Sequence, residues 1–464
     1  MDLRDYQIKL IQDLKIELFK GNKAICVVSP TGSGKTVVIG KIVKSLFHNN
    51  TKVFIVAHRQ ELISQISNTL ENFNIPHGII SPHYKRDNTQ LVQVASVDSL
   101  VRRLDYYPEP SFIITDECAH LIKNNKWGRV AQKYSNAKLI GFTATPIRTD
   151  GTGLGINSGG FFESIILAPQ THWMIDNNYL TPARYFVPPQ VADLTGLRKS
   201  YGDYNTAQLE ERLNKSTITG DAIAHYKRIS PNTPAIAFCA SIKHAHAVSE
   251  EFNNIGIPSA TIDGTLDAIT RKNLIQDLAS GKIKVLTSVD VISEGTDIPV
   301  VTTAILLRPT QSLSLHLQQI GRVLRKSPDK KFAYILDHVG NTLKHGFAET
   351  QREWTLSGIK KNSRSQEKTI PMRQCPACYC CHAPLPICPS CHHKYQIEFR
   401  EIKIEKGELH ELTKEEKKHF QFKKIQERKK ASSLADLKII EKQRGYKNGW
   451  AEHVWKAKLS YKRQ

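Results

Sequence analysis

The feature that most constrains this chain is the eight-residue stretch Ser29–Thr36, which reads SPTGSGKT. An apolar run, residues 24–28, leads into it, and a helical pattern of apolar residues, 37–43, follows it. A buried strand, a glycine loop and a helix N-terminus form an arrangement that binds phosphates, because glycines let backbone N–H groups turn toward them. The usual motif begins with glycine, and Ser29 holds that position here. The stretch predicts a nucleotide site, with a chance glycine turn as the alternative.

The polar residues of this loop have separate expected roles. Lys35 is placed to reach the β- and γ-phosphates, and the Thr36 hydroxyl is placed to ligate Mg²⁺. We therefore expect a nucleoside triphosphate and a magnesium ion to bind together. The loop residues expected to contact the nucleotide are Ser29, Thr31, Gly32, Ser33, Gly34, Lys35 and Thr36.

A pair of carboxylates follows a second apolar run, residues 112–115. In phosphate-loop ATPases a carboxylate at the end of a strand holds Mg²⁺, and a second one beside it can activate the attacking water. We therefore expect Asp116 to hold Mg²⁺ and Glu117 to act as the general base. The alternative is an acidic pair in a surface loop.

Apolar runs that resemble strands alternate with helical patterns along most of the chain. They cover residues 24–28, 53–57, 91–95, 112–115 and 138–142, and then 235–239, 284–287, 303–307 and 332–336. Near-continuous apolar strands that alternate with helices indicate parallel sheets covered on both faces. Glycines and prolines interrupt the alternation between residues 150 and 210, so we expect two tandem α/β domains with a boundary near residue 170.

Six of the nine cysteines crowd into residues 375–391, which in an intracellular chain favours a metal site over disulfides. Four of them have the spacing C-x₂-C-x₉-C-x₂-C, namely Cys375, Cys378, Cys388 and Cys391. Each C-P-x-C turn can direct two thiolates at one ion, so these four are expected to hold a structural Zn²⁺. Spare candidate ligands are Cys380, Cys381, His382, His392 and His393, with Cys381 as the first substitute. An iron–sulfur cluster and a metal-free thiol cluster are the alternatives.

The net charge of +21 is concentrated toward the end of the sequence. Residues 351–464 hold 26 Lys and Arg against 13 Asp and Glu, whereas the other 350 residues hold 39 against 31. This distribution favours binding to a polyanion, with a solubilising tail as the alternative. Basic residues accompany Tyr446, Trp450 and Trp455, which suits stacking on nucleic acid, whereas packing in a small helical cap is the competing interpretation.

Membrane and export signals are not apparent in the sequence. No apolar run approaches the roughly 18 residues of a membrane span. The first residues lack the charged and then apolar pattern of a signal peptide. We expect a soluble cytoplasmic protein without a membrane partner.

The carboxylate pair belongs to the sequence DECAH, residues 116–120, and D-E-x-x-H resembles the second motif of superfamily 2 helicases and translocases. Other stretches resemble the remaining motifs in the family's order: residues 3–7 (LRDYQ) the adenine-reading motif, 56–62 motif Ia, 94–97 motif Ib, 143–146 (TATP) motif III, 236–241 motif IV, 287–299 motif V and 318–325 (QQIGRVLR) motif VI. The ordered set covers residues 3–325. It implies two RecA-like domains that enclose ATP and Mg²⁺ and carry a nucleic-acid strand across their upper face.

The resemblance also implies which residues recognise the cofactor outside the phosphate loop. Arg4 and Gln7 would bind the adenine end of ATP, with Gln7 as the base contact. Gly295 and Asp297 of motif V would complete the cofactor site.

Roles in catalysis and coupling follow from the same resemblance. Gln318, Arg322 and Arg325 would act in catalysis, with Arg325 as the arginine finger, because a guanidinium fork suits a phosphate that gains negative charge. The residues implied in nucleic-acid contact and coupling are His58, Arg59, Ser96, His120, Thr143, Thr145, Ser241 and Thr287.

The combination of L-R-x-Y-Q, D-E-C-A-H and a C-terminal cysteine ribbon is most similar to bacterial and phage helicases of the RadD type. Those act on DNA in repair or replication, so the resemblance implies single-stranded or forked DNA as the partner, with replication and repair proteins as further partners. The expected organisation is a RecA-like ATP-binding domain (1–170), a RecA-like C-terminal helicase domain (171–350), a linker (351–374), a zinc ribbon (375–395) and a basic helical region (396–464).

Other functions share these features. A duplex translocase that moves without separating strands has the same motifs, and so does an RNA helicase. A nucleic-acid-binding adaptor with an inert motor is a third alternative, although Lys35, Asp116, Glu117 and Arg325 are all present. A restriction-enzyme motor subunit is also conceivable, but the sequence shows no nuclease carboxylate cluster.

Overall fold

The computed structural model describes residues 3–82, 84–148, 150–187, 199–200, 203–204, 216–289, 292, 298–358, 372–395, 431, 433–444 and 449–461. The chain divides into two compact units, Met1–Gln396 and Ile397–Gln464. The expected cofactor residues Gly295 and Asp297, and Tyr446 of the basic tail, lie outside the described residues.

The first domain is built on a seven-stranded parallel sheet. Its strands are β1 (Ala24–Val28), β2 (Val53–Ala57), β3 (Gly78–Ile80), β4 (Val92–Ser96), β5 (Phe112–Thr115), β6 (Lys138–Thr143) and β7 (Ser164–Leu167), in the spatial order β3-β4-β2-β5-β6-β1-β7. Its helices are α1 (Asp5–Phe19), α2 (Lys35–His48), α3 (Gln60–Asn72), α4 (Val97–Leu100) and α5 (Lys126–Lys133), with 3₁₀ turns at Leu104–Tyr106, Cys118–His120 and Ile156–Ser158.

The second domain holds an eight-stranded sheet. Its strands are β8 (Ala183–Phe186), β11 (Ala235–Phe238), β12 (Ser259–Ile262), β13 (Val285–Ser288), β14 (Thr303–Leu306), β15 (Ala333–Asp337), β16 (Arg373–Gln374) and β17 (Cys380–His382). Their spatial order is β12-β13-β11-β14-β15-β8-β17-β16, and the first six strands of this order run parallel. Two further strands, β9 (Lys199–Ser200) and β10 (Asp203–Tyr204), pair with each other apart from this sheet. The helices of this part are α6 (Thr171–Asp176), α7 (Ser216–Ile229), α8 (Ile242–Asn254), α9 (Ala268–Ala279), α10 (Leu313–Val323) and α11 (Asn341–His345).

The strand sequences explain why both sheets are covered by helices. Every residue of β2, β4, β11, β13 and β14 is buried, so neither face of these strands meets water. Strands with two buried faces need helices on both sides. This arrangement confirms the prediction of two tandem parallel α/β domains.

The cysteine segment continues the sheet of the second domain. Strand β17 pairs antiparallel with β8, so that Cys380 lies opposite Phe186 and Cys381 opposite Tyr185. The side chains of Cys380 and Cys381 are buried in the domain core. The segment is therefore attached to the motor through backbone pairing.

Residues Arg352–Gly358, here called the return strap, lead from the second domain back to the first. Alternate residues of this extended segment turn inward, and Trp354 and Leu356 pack against the core of the first domain. The Gly155 N–H donates to the Leu356 carbonyl oxygen at 3.0 Å. The expected linker, residues 351–374, is thus not a free connection where it is described: its first part is the strap, and its last residues contain β16 of the second domain.

Two glycines allow the strap to approach the loop that follows β6. A Cβ on Gly153 would lie 1.9 Å from the Leu356 carbonyl oxygen, which no side chain can tolerate. Gly358, which pairs with Thr152, has a φ of +75°, a region that favours glycine. Gly153 of the loop and Gly358 of the strap thus allow the two backbones to approach closely.

The second unit contains a helical hairpin, α12 (Leu434–Arg444) and α13 (Trp450–Tyr461). Leu437, Ala451 and Val454 are buried between the helices, and Trp450 and Trp455 pack against them. The packing favours the interpretation of these tryptophans as a small helical cap. Among the described residues, no helix combines the length and apolarity needed to span a bilayer.

Candidate active site

The phosphate loop connects the end of β1 to the start of α2. Gly32 and Gly34 have φ values of +85° and +80°, so the backbone needs glycine at both positions. The Ser29 N–H donates to the Thr143 carbonyl oxygen at 2.8 Å, which fixes the loop to β6. The Ser29 and Ser33 hydroxyls are 2.6 Å apart. Serine at the usual glycine position thus adds a hydrogen bond that spans the loop.

The start of α1 lies over this loop. The Tyr6 hydroxyl and the Gln7 amide both donate to the Ser33 carbonyl oxygen, at 2.7 and 3.1 Å. The Arg4 guanidinium lies 4.9 Å from the centre of the Tyr179 ring. Arg4 and Tyr179 line the same cavity as the phosphate loop, whereas Gln7 is buried beneath it. The base contact expected of Gln7 stays a prediction.

The carboxylate pair lies at the carboxyl end of β5, beside the loop. Asp116 and Glu117 are both buried. Glu117 has a φ of +55°, and its N–H donates to Asp116 Oδ1 at 3.0 Å, so a strained turn holds both groups in place. Lys35 Nζ lies 3.8 Å from Glu117 Oε1 and 3.4 Å from the Ser29 carbonyl oxygen. The ammonium and the carboxylates expected in one site do meet there.

The second domain completes the cavity from the opposite side. Arg322 of α10 and Arg325 just beyond it line a cavity of about 430 Å³ together with Lys35, Thr36, Asp116 and Glu117. The two domains touch directly beside it, because a Cβ on Gly321 would lie 2.5 Å from Thr31 Cβ. Gln318 is buried on α10 and is not among the residues that line the cavity.

A hydrogen bond joins motif III to the helix that carries the arginines. The Thr145 hydroxyl donates to Ser314 Oγ on α10 at 2.6 Å, and the Thr143 hydroxyl donates to the Thr145 carbonyl oxygen at 3.0 Å. Sequence reasoning selected Thr143 and Thr145 but missed Ser314, which no motif marks.

The other residues expected to contact nucleic acid fall into two groups. His120 is exposed, lies 4.9 Å from His58 between ring centres, and stacks on Trp127 at 6.4 Å. Arg59 donates to His58 Nε2 at 3.3 Å. These residues form one aromatic and basic cluster, and Trp127 is the member that sequence reasoning missed.

The second group makes packing and capping contacts within the protein. Ser96 and Thr287 are buried, and the Thr287 hydroxyl lies 2.9 Å from Thr261 Oγ1. Ser241 caps α8, where its hydroxyl accepts a hydrogen bond from the His244 N–H at 3.1 Å. The structure therefore places these three side chains in packing and capping positions.

The four cysteines of the ribbon converge on one point. The Sγ atoms of Cys375, Cys378, Cys388 and Cys391 all lie within 4.8 Å of one another, with pairs at 3.6 and 3.7 Å. A tetrahedral zinc site with Zn–S bonds of about 2.3 Å has S–S edges of about 3.8 Å, so the arrangement fits that ion. The residue after each turn, Tyr379 and His392, has a φ of +60° in both cases.

The cysteines differ in pKa, but position and not pKa separates the ligands from their neighbours, because burial also raises the pKa of the ligands Cys378 and Cys391. Burial acts to raise the pKa of Cys375, but hydrogen bonds from the Cys378 and Ala377 N–H groups outweigh it and lower the pKa to about 6. Burial raises the pKa of Cys380 to about 12 and that of Cys381 to about 11. Cys381, the expected substitute ligand, is thus a neutral core thiol outside the group of four.

Comparison with known proteins agrees with this architecture. Residues 1–148 match the family described as "Type III restriction enzyme, res subunit", and residues 215–327 match the "Helicase conserved C-terminal domain". A 51.5 kDa protein of a Lactococcus phage is 33% identical over 416 residues, which are 88% of this chain and 86% of that protein.

Two further likenesses concern the motor domains. A Saccharomyces cerevisiae protein assigned as the ATP-dependent helicase IRC3 is 30% identical over 358 residues, and the match covers 73% of this chain but only 51% of that protein. A fragment assigned to the HsdR subunit of a type I restriction enzyme from Vibrio vulnificus has the same fold, with a TM-score of 0.59 and 21% identity over 74% of this chain and 67% of that chain. With two RecA-like domains and the matching family domains, the chain belongs to superfamily 2 of the helicases, a family of ATP-hydrolysing enzymes.

Proposed function

We propose that this protein is an ATP-dependent DNA helicase or translocase that couples ATP hydrolysis to movement along DNA. The observation that carries the proposal is the shared cavity, in which Lys35 and Glu117 of the first domain face Arg322 and Arg325 of the second. A site divided between two domains makes hydrolysis depend on their closure, and closure is what a motor converts into movement.

The cavity residues supply the chemistry of phosphoryl transfer. Lys35 would neutralise the β- and γ-phosphates, and Glu117 would take a proton from the attacking water. Thr36 and Asp116 would hold Mg²⁺, which when bound neutralises charge on the phosphate oxygens. Arg325 would stabilise the charge that develops on the γ-phosphate, with Arg322 beside it. The hydrogen bond between Thr145 and Ser314 would couple closure of the two domains around ATP to movement of the residues that contact nucleic acid.

Two observations favour DNA as the track. Residues 1–148 match a family named for a restriction-enzyme subunit, and a Sulfurisphaera tokodaii relative that is 25% identical is named as a DNA translocase. The net charge of +21 suits a polyanionic track of either kind. The exposed His120, and Arg59 on the far side of His58, are candidates for contact with the strand. A role in DNA repair, recombination or replication, alongside proteins of those pathways, is proposed from the RadD-type resemblance.

The cysteine ribbon is proposed as a structural zinc site. Four thiolates in closed tetrahedral coordination leave no position for a substrate, so the ion would stabilise the fold only. Elemental analysis of the purified protein is expected to give one zinc per chain, and replacing Cys378 by serine should remove it.

The motor assignment is tested by an ATPase assay with single-stranded, duplex and forked DNA and with RNA, at several salt concentrations. DNA should stimulate hydrolysis more than RNA does. Lys35→Ala should abolish turnover, because the phosphates lose their main cation, whereas Lys41→Ala on the exposed side of α2 should leave turnover unchanged. Unchanged turnover in Lys35→Ala would overturn the site, and greater stimulation by RNA would overturn the choice of DNA.

Strand displacement and triplex displacement then distinguish the two kinds of motor. A forked duplex should be unwound in the presence of ATP. Removal of a third strand from a triplex without unwinding would identify a duplex translocase.

A further inference from the structure

Lys330 lies between two segments that reach the nucleotide cavity. It ends the turn Ser327-Pro328-Asp329-Lys330, in which the Lys330 N–H donates to the Ser327 carbonyl oxygen at 3.3 Å and Asp329 has a φ of +63°. Proline at the second position and a positive φ at the third are features of a type II turn. This turn directs the lysine side chain back toward the end of motif VI.

Three backbone carbonyl oxygens surround the Lys330 ammonium. Nζ donates to the oxygens of Val301 at 2.5 Å, Arg325 at 2.9 Å and Pro299 at 3.4 Å. An ammonium group has three donors and no acceptor, so three carbonyls match the charged form. Burial, and then the charge of Arg325, lower the pKa of Lys330 to about 7. Burying the charged ammonium therefore costs free energy, and the hydrogen bonds to the three carbonyl oxygens offset part of that cost.

The partners of Lys330 are the feature that suggests a function. Pro299 and Arg325 both line the nucleotide cavity, and Val301 follows Pro299 just before β14. The Arg325 carbonyl oxygen also accepts a hydrogen bond from the Thr181 hydroxyl at 3.3 Å. Lys330 therefore ties the backbone of the expected arginine finger to the segment that leaves motif V.

We propose that Lys330 is a positioning residue for ATP hydrolysis, which fixes the Arg325 backbone against Pro299 and Val301. The proposal rests on the role given to Arg325 under the proposed function. Lys330 does not line the cavity itself, so it acts on the reaction only through its neighbours. Its loss should leave ATP binding intact and impair the step in which the guanidinium must reach the γ-phosphate.

The first test compares Lys330→Met with Lys331→Met, a control at the exposed neighbouring lysine. Lys330→Met should lower the DNA-stimulated kcat about tenfold or more, with the KM for ATP changed less than about twofold. The control should retain the kcat of the wild-type enzyme. A wild-type kcat in Lys330→Met, or an effect on KM alone, would overturn the proposal.

A double-mutant cycle distinguishes positioning from general stability. If Lys330 acts through Arg325, adding Lys330→Met to Arg325→Ala should lower kcat no more than about twofold further. The same tenfold loss in both backgrounds would contradict the proposal. Binding of a fluorescent ATP analogue shows that each variant is folded. If Lys330→Met does not fold, Lys330→Gln, which keeps one donor group, replaces it. The same kcat and KM criteria then apply to Lys330→Gln.

These outcomes separate the two proposals. A wild-type enzyme without DNA-stimulated hydrolysis would refute the proposed function. A stimulated wild-type enzyme with an equally active Lys330→Met variant would refute only the role of Lys330.

Discussion

His316 is buried on α10, the helix that also carries Gln318 and Arg322. Its Nε2 lies 3.1 Å from the Gly346 carbonyl oxygen, and its ring lies 5.2 Å from His345. Burial, and then the charge of His345, lower the pKa of His316 to about 3. The folded protein thus keeps this ring neutral at pH values where an unfolded chain would protonate it.

The pH dependence of stability follows from this difference. Below about pH 6.5 the unfolded chain binds a proton that the folded state excludes, so the free energy of unfolding falls as the pH falls from 6.5 to 3. Between pH 7.5 and 5 the loss from His316 should be about 2 kcal/mol. His316→Gln keeps a donor for the Gly346 carbonyl oxygen. Its free energy of unfolding, measured with urea at both pH values, should therefore fall by about 2 kcal/mol less between pH 7.5 and 5 than that of the wild-type protein. Equal losses in the two proteins would contradict the expectation.

Single residues were predictable where a motif fixes their place at the end of a strand. Lys35, Asp116 and Glu117 follow β1 and β5, and the carboxyl ends of parallel strands lie at one edge of the sheet. Ser314 and Lys330 were not predictable, because their role depends on partners distant in sequence or on backbone carbonyls that carry no side-chain signal. Thr145 and Ser314, for example, are separated by 169 positions.

At the scale of the elements, the pairing of β17 with β8 makes the cysteine ribbon part of the second domain. The Val187 N–H donates to the Tyr379 carbonyl oxygen at 3.3 Å, and the Gln374 amide donates to the Val187 carbonyl oxygen. The free energy of metal binding contributes to the folding free energy of such a site. Loss of the ion should therefore destabilise not only the ribbon but also the part of the second domain that pairs with it.

Metal removal tests this connection. A chelator, or Cys388→Ser, should lower the free energy of unfolding of the second domain by about 2 kcal/mol or more and speed amide hydrogen exchange at Tyr185 and Val187. The chelator should have no added effect on the serine variant, which is the control for non-specific action. Normal exchange at both amides after zinc is lost would contradict this coupling.

The apolar runs predicted many strands closely because fully buried strands of a parallel sheet have an unbroken apolar pattern. The runs at residues 24–28, 53–57 and 112–115 coincide with β1, β2 and β5. Strands at the sheet edges, such as β3 and β7, were missed because they are short and partly exposed. The pairing of β17 with β8 was missed because backbone hydrogen bonds between short segments leave no mark in the sequence.

At the scale of the whole motor, the return strap connects the domains a second time. Arg352 starts the strap, and its guanidinium donates to the carbonyl oxygens of His345, Phe347 and Thr350 in the second domain. Trp354 then packs on the first domain. The strap is thus anchored at one end in each domain.

Trp354→Ala should release the strap from the first domain. Truncation of a packed tryptophan costs roughly 3 kcal/mol, enough to shift a docking equilibrium by about a hundredfold. Small-angle X-ray scattering without nucleotide should then show a larger radius of gyration than for the wild-type protein. Phe19→Ala, a change at an aromatic residue that is 94% exposed, is the matched control and should scatter like the wild-type protein. An unchanged radius in Trp354→Ala would show that the strap does not restrain the domains.

The strap runs beside the first connection between the domains. The Gln170 side chain, just before α6, accepts from the Arg352 N–H at 3.0 Å and donates to the Arg352 carbonyl oxygen at 2.8 Å. A single flexible connection would let one domain swivel freely about the other, whereas two that are bonded together resist twisting. We therefore expect the two domains to open and close by rotation about one fixed hinge axis near these connections, so that each round of hydrolysis produces the same domain movement.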